Sequence, residues 1–215
     1  MLMIFCACSS DNKPAAEYDA AKTPDADKES TGKKKNIVFF GNSITAGYGL
    51  QLSEAFPALI QHKIDSLQLP YTAINAGVSG ETSADGVARI DWILRQPVDI
   101  FVLELGGNDG LRGIPVSETK KNLQLIMDKV KAKNPTCQIV LAGMQIPPNM
   151  GKRYTDEFRN MYPELAKKND VRLIPFLLEG VGGEARLNLE DGIHPTAEGH
   201  TILAQNVWSV LEPML

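Results

Sequence analysis

The sequence predicts a three-layer α/β sandwich, on three observations. From Asn36 onward, short continuous apolar runs alternate with longer segments of helical period; the runs are rich in Val, Ile and Phe; and glycine-dense polar loops follow the runs rather than the helical segments. Continuous rather than alternating apolar character suits strands covered on both faces, as in a parallel sheet. Parallel strands need crossover connections, and the order β-α-β-α-β-α-β-α-β-α supplies them. At 215 residues the chain has room for one full hydrophobic core and a tail.

The elements follow in order. The first run, "NIVFF", leads into "GNSITAGYG" and then a helix with Phe56, Leu59, Ile60, Ile64 and Leu67 on one face, for which Ser53 is a candidate cap. "YTAINA" is followed by "AGVSGETS". "VDIFVLEL" is followed by "GGNDGLRG" and a helix carrying Leu123, Ile126, Met127 and Val130, with Ser117 as its candidate cap. "CQIVLAGMQ" runs into "QIPPNMG"; "VRLIPFL" opens a long loop ending in "EDGIHP". Leu203, Val207 and Leu211 mark the last helix, which Thr196 can cap.

The N-terminal part reads differently. "MLMIFCAC" resembles the end of a bacterial lipoprotein signal, with cleavage before Cys8 and a lipid on its thiol, although a charged n-region is missing. Residues 9–35 are Ala, Lys, Asp, Glu, Ser and Pro with few branched apolar side chains, the composition of a flexible tether that cannot offset its ordering entropy. The folded domain is therefore expected over residues 36–215, anchored to a bacterial cell envelope, periplasm-facing or at the surface, through residues 1–8. No other apolar run approaches the ~20 residues that span a bilayer. A net charge of -4 with interspersed signs offers no basic footprint for nucleic acid. With Cys6, Cys8 and Cys137 as the only cysteines, no disulfide framework is readable, and Cys137 is expected to be a small buried hydrophobe. A monomer is expected.

In an open parallel sheet, ligands bind beyond the C-terminal ends of the strands, which is where the polar loops fall. Asp191 and His194 lie in a short segment closed by Pro195, which restricts His194 to extended backbone. Such a segment can bring a carboxylate to one imidazole nitrogen and leave the other free to take a proton from a nucleophile. Ser43, directly after the first strand in a glycine-containing turn, is the best placed hydroxyl. Gly80, Asn108 and the amide of Ser43 are candidate donors to an oxyanion.

Other polar residues have plainer readings. Ser79 does not complete G-x-S-x-G, and the first loop lacks the lysine of a phosphate-binding loop. Asp109 is expected to shape its loop. His62 and His200 are expected at the surface or in packing. Asp85 and Glu104 pair with no histidine in sequence, and Glu104 inside an apolar strand is expected to make a buried hydrogen bond near the site.

Taken together, G-N-S-I-T around Ser43, G-V-S-G-E-T around Gly80, G-G-N-D around Asn108 and D-G-I-H-P with Asp191 and His194 resemble the four ordered blocks of the SGNH hydrolases, the GDSL esterase/lipase family. "LELGGNDGLRG", "YPELAKK" and "LIPFLLE" look most like its bacterial thioesterase I / lysophospholipase / arylesterase subgroup. The resemblance implies a five-stranded flavodoxin-like sheet and hydrolysis of acyl esters or thioesters. Ser43 would be the nucleophile, His194 the base and Asp191 its orienter; Ser43, Gly80 and Asn108 would form the oxyanion hole. Neither metal nor organic cofactor is implied. Gly110, Leu111, Arg112, Gly113, Ile114 and Pro115, together with Ile146, Pro147 and Pro148, would line the acyl groove. The chain departs from the pattern at Asn42, where the family usually has an acid. Two rival readings are an O-acetyl carbohydrate esterase of the same family and a non-catalytic binding module.

Overall fold

The computed structural model describes residues 34–215. The signal-like residues 1–8, with Cys6 and Cys8, and all but the end of the tether lie outside the described residues. The chain runs β1 (Lys35–Gly41), α1 (Ser43–Ala46), α2 (Phe56–Ser66), β2 (Tyr71–Gly77), α3 (Ser83–Ile93), β3 (Ile100–Glu104), α4 (Gly107–Leu111), α5 (Val116–Lys133), β4 (Gln138–Ala142), α6 (Lys152–Asn169), β5 (Arg172–Ile174) and α7 (Ala197–Leu211). All strand pairs are parallel, in the order β2-β1-β3-β4-β5. Each apolar run became a strand, and α1 and α4 are short additions at the ends of β1 and β3.

That order reverses direction between β1 and β3, the switch point at which open α/β sheets bind ligands. Helix α2 packs on α7, and α3 on α5 on α6, which gives one helix layer on each face of the sheet. Phe39, Phe40, Phe101, Phe158 and Tyr162 fill the core between the layers. Burial on both faces holds for β1, β3 and β4, whereas β2 and β5 are edge strands and remain half-covered.

Two of the three expected caps are corrected. Ser53 sits in a 3-10 turn (Leu52–Glu54), and α2 begins after Ala55. Its first amide, that of Phe56, donates to Nδ1 of buried His200 at 3.0 Å, so a distant imidazole does the work expected of a local hydroxyl. Ser117 lies inside α5, which is entered through Pro115. Thr196 does cap α7, accepting from the Gly199 amide. Cys137 is buried, as its apolar setting suggested.

Candidate active site

The turn that carries Ser43, the candidate nucleophile, is built by Asn42, Ser43 and Gly47 just beyond the end of β1. Asn42 is the N-cap of α1: its Oδ1 accepts the Ile44 amide at 3.0 Å, fixing the direction in which the one-turn helix leaves the strand. Ser43 is then the first residue of α1, where a backbone N–H has no acceptor within the helix and remains available to a ligand. Gly47 ends the turn in the left-handed region at φ 78°, which lets the chain reverse within one turn.

His194 reaches Ser43 from the other end of the chain. Its Nε2 lies 2.9 Å from Ser43 Oγ and its Nδ1 2.6 Å from Asp191 Oδ2. The Asp191–His194 segment is self-supporting: Asp191 Oδ1 accepts the amides of Ile193 at 2.8 Å and His194 at 3.0 Å. The His194 amide, then its ring, then the Ile193 amide hold the Asp191 carboxyl down at about 2, so it is ionised and keeps Nδ1 protonated. Nε2 is left as the acceptor facing Ser43. Tyr48 covers the imidazole, ring centroids 4.5 Å apart.

The oxyanion candidates are oriented by a second set of contacts. Asn108 Nδ2 donates to the Glu81 carbonyl at 2.8 Å, which uses one of its two amide hydrogens and fixes the plane of the other. Arg112 donates to the Gly80 carbonyl at 2.9 Å. Gly80 has φ 83° and open space where a Cβ would stand, so glycine serves backbone conformation there rather than packing. The Glu81 side chain is gripped by Arg89 Nε at 2.5 Å, and the same guanidinium donates to the carbonyls of Gly41 and Ala76 at the ends of β1 and β2. Buried Asp109 accepts from the Ser83 amide (2.8 Å), Ser83 Oγ (2.5 Å) and Thr119 Oγ1 (3.3 Å), tying α4 to α3 and α5; its role is structural, as expected.

Glu104 is fully buried at the end of β3 and faces the nucleophile turn. It accepts from the Asn42 amide (3.1 Å), Asn42 Nδ2 (2.8 Å) and Thr45 Oγ1 (2.8 Å). Burial pushes its carboxyl up to about 7, against the pull of these donors. The hydrogen bonds expected of it are therefore present, and they lead directly to the other unexplained residue, Asn42. Asp85 is a capping-box partner of Thr82, exposed His62 stands apart on α2, and Ser79 is exposed.

A cleft of about 380 Å³ opens beside Ser43, with Asn42, Ile44 and Asn108 at its head. Its walls are Leu111, Met144, Ile146, Pro147, Pro148, Phe176 and Leu178, with Gln145 and Asn188 as polar lining, and among the described residues no Lys, Arg, Asp or Glu lines it. Of the groove residues expected from sequence, Leu111, Ile146, Pro147 and Pro148 line the cleft; Gly110, Arg112, Gly113, Ile114 and Pro115 do not. The reason is that α4 turns inward at Gly110, where an added Cβ would stand 2.4 Å from Ile146 Cγ2, while Arg112 reaches across to Gly80. Beyond them Gly113 has φ 68°, Ile114 offers its carbonyl to Tyr154, and Pro115 opens α5. Sequence reading missed Met144, Phe176 and Leu178. Their signal was apolar residues continuing past the ends of β4 and β5 in "LAGMQ" and "IPFLLE".

Comparison with known proteins gives the same picture. The family model described as GDSL-like Lipase/Acylhydrolase matches residues 39–202. Esterase TesA of Pseudomonas aeruginosa is 38% identical over 182 residues, covering 84% of this chain and 90% of that protein. Thioesterase 1/protease 1/lysophospholipase L1 of Escherichia coli is 38% identical over 180 residues, covering 83% and 84%. Among solved structures, the psychrotrophic esterase EstA from Pseudoalteromonas sp., inhibited by monoethylphosphonate, superposes with a TM-score of 0.79 at 31% identity, covering 84% of this chain and 98% of that one. With the four blocks, the sheet order and the Ser43–His194–Asp191 geometry in agreement, the chain belongs to the GDSL-like lipase/acylhydrolase family and is a carboxylic ester hydrolase.

Proposed function

We propose that the protein is a serine esterase that cleaves acyl esters or thioesters of neutral, apolar acyl groups through an acyl-enzyme on Ser43. The observation that carries this is the hydrogen-bonded line from Asp191 through His194 to Ser43 Oγ, ending at an uncharged apolar cleft. His194 Nε2 takes the Ser43 proton as Oγ attacks the acyl carbon. The tetrahedral oxyanion is met by the N–H groups of Ser43 and Gly80 and by the Asn108 amide, each such donor contributing on the order of 10²–10³ in rate. The imidazolium returns the proton to the leaving alcohol or thiol, and ionised Asp191 stabilises it meanwhile. A water then enters where the leaving group stood and attacks the acyl carbon as it gives a proton to Nε2; the bond from that carbon to Ser43 Oγ breaks, Oγ takes the proton back from the imidazolium, and the acid is released.

The cleft's mostly apolar lining suits an acyl or aryl group, and the names of the relatives, esterase and thioesterase/lysophospholipase, agree with this class. A sugar would find Gln145 and Asn188 as partners but leave its other hydroxyls facing Leu111, Ile146, Pro147 and Phe176, which disfavours the deacetylase reading. Rates on p-nitrophenyl acetate, butyrate, octanoate and palmitate, set beside acetylated xylan, test the assignment. Octanoate or butyrate above acetylated xylan is expected; preference for the glycan overturns it.

For location, the proposal is an envelope lipoprotein carrying its acyl chain on Cys8, supported by "FCACSS" and the polar residues after it. Metabolic labelling with palmitate is expected to mark the full chain and not its Cys8→Ala variant. An unlabelled full chain removes this reading.

A further inference from the structure

We propose that Glu104 is a positioning residue for the nucleophile, and that Asn42 is its matched partner rather than a weakened acid. This rests on Ser43 being the nucleophile. Among the described residues, Glu104 does not line the cleft and every hydrogen bond to its carboxylate comes from the turn that carries Ser43, two of the three from Asn42.

The space it occupies is reserved for it. Gly41 pairs with Glu104 across β1 and β3, and a Cβ on Gly41 would stand 2.4 Å from Glu104 Oε2 and 2.1 Å from Thr45 Oγ1. The glycine of "GNS" is therefore a requirement of the carboxylate beneath it. Oε2 fastens the Asn42 amide and the Thr45 hydroxyl, one on each side of Ser43, while Oε1 holds the Asn42 side-chain amide. The held Asn42 then turns its Oδ1 to the Ile44 amide at 3.0 Å. Ser43 is thus gripped through both neighbours, which sets the direction of its amide and the place of its Oγ against His194.

The donor and acceptor pattern explains the asparagine. An amide at position 42 gives Glu104 a donor with no proton to share. An aspartate there would put two carboxyl groups 2.8 Å apart in a buried site, which they can occupy only by holding a proton between them. Ser43 Oγ lies 3.4 Å from Asn42 Oδ1, so a charged oxygen in that place would also compete with His194 for the serine proton.

The experiment is a charge swap read by steady-state kinetics on p-nitrophenyl butyrate and by the rate of Ser43 labelling with a fluorophosphonate. In Glu104→Gln, one amide group meets another donor to donor; kcat and the labelling rate are expected to fall about 10- to 100-fold, as displacements of this kind do, with KM within about twofold. Asn42→Asp, which supplies the acid the family usually has, is expected to work only while the two carboxyl groups share a proton, and so to lose kcat as pH rises where wild type does not. The double variant Asn42→Asp/Glu104→Gln restores one donor and one acceptor with the charge moved across, and is expected to recover kcat to within about threefold of wild type. Thr45→Val deletes one donor with little change of shape, and is expected to lower kcat by about 3- to 10-fold without raising KM.

A folded Glu104→Gln variant with wild-type kcat, or a double variant no better than the product of the singles, overturns the proposal. If Glu104→Gln does not fold, Thr45→Val decides: a lowered kcat at unchanged KM supports the proposal and an unchanged kcat overturns it. Wild-type labelling at Ser43 is the control, because its absence defeats the nucleophile assignment and not the grip of Glu104.

Discussion

The two sides of the proposed catalytic line are held in opposite ways. Asp191 and His194 are three residues apart, partly exposed, and organised by hydrogen bonds that close within their own loop. Ser43 is buried and organised from far along the chain: Glu104 reaches Asn42 across 62 positions, and Arg89 reaches Gly41 across 48. The base can be built by local sequence alone. The nucleophile depends on the sheet having formed, because its supports arrive on β3 and α3. The difference predicts that damage to the base side is chemical and local, whereas damage to the nucleophile side spreads into stability.

The largest effect should come from the reacting atoms themselves. Ser43→Ala and His194→Ala are each expected to lower kcat by on the order of 10⁵, and the double variant by little more, because the two act as one unit. Steady-state rates on p-nitrophenyl butyrate check this. Next comes Asp191→Asn, which keeps an oxygen for the amides of Ile193 and His194 but puts the wrong partner at Nδ1; a loss of about 10³ to 10⁴ in kcat with unchanged thermal stability is expected. That result would confirm the base side as local. A large drop in melting temperature would break the contrast.

On the nucleophile side the signature should be mixed. Asp109→Ala leaves the Ser83 amide and hydroxyl without their acceptor, and is expected to cost about 2 kcal/mol in urea unfolding as well as activity, since Asn108 is its neighbour. The smallest effect is a pH dependence of stability from His200. Burial, and less so His194, hold His200 at about 4 against an ordinary 6.5 despite the opposing pull of Glu54, so its neutral form accepts the Phe56 amide. The unfolded chain takes up the proton first. The contribution is therefore full above pH 6.5 and is lost as pH falls towards 4. His200→Phe is expected to flatten unfolding free energy across that window while costing about 1 kcal/mol at neutral pH for the unpaired Phe56 amide. In the same pH range Asp191 stays ionised, so its carboxylate contributes no acid limb to activity.

The same contrast explains what could be read from sequence. The strands, their order of appearance and the Asp191–His194–Pro195 segment were legible because each is a local pattern, and the four blocks named Ser43, Gly80 and Asn108 as candidates. The exits from β4 and β5 were harder: Met144, Phe176 and Leu178 look like strand continuation until the sheet shows where each strand stops. Gly110 to Pro115 was expected to line the groove from the family resemblance, but its glycines serve an inward turn and only Leu111 faces the cleft. The link between Asn42 and Glu104 was invisible, since nothing in either segment names the other; Gly41 was the one local hint that something needed the room. The cap of α2 failed for the same reason, its partner His200 lying 144 positions away.

The most direct test of the central claim is intact mass and peptide mapping after exposure to a fluorophosphonate. The account predicts one adduct per chain, on Ser43, formed in step with loss of esterase activity and slowed by orders of magnitude in His194→Ala. An active chain that stays unmodified, or one inactivated by an adduct on any other residue, would contradict it.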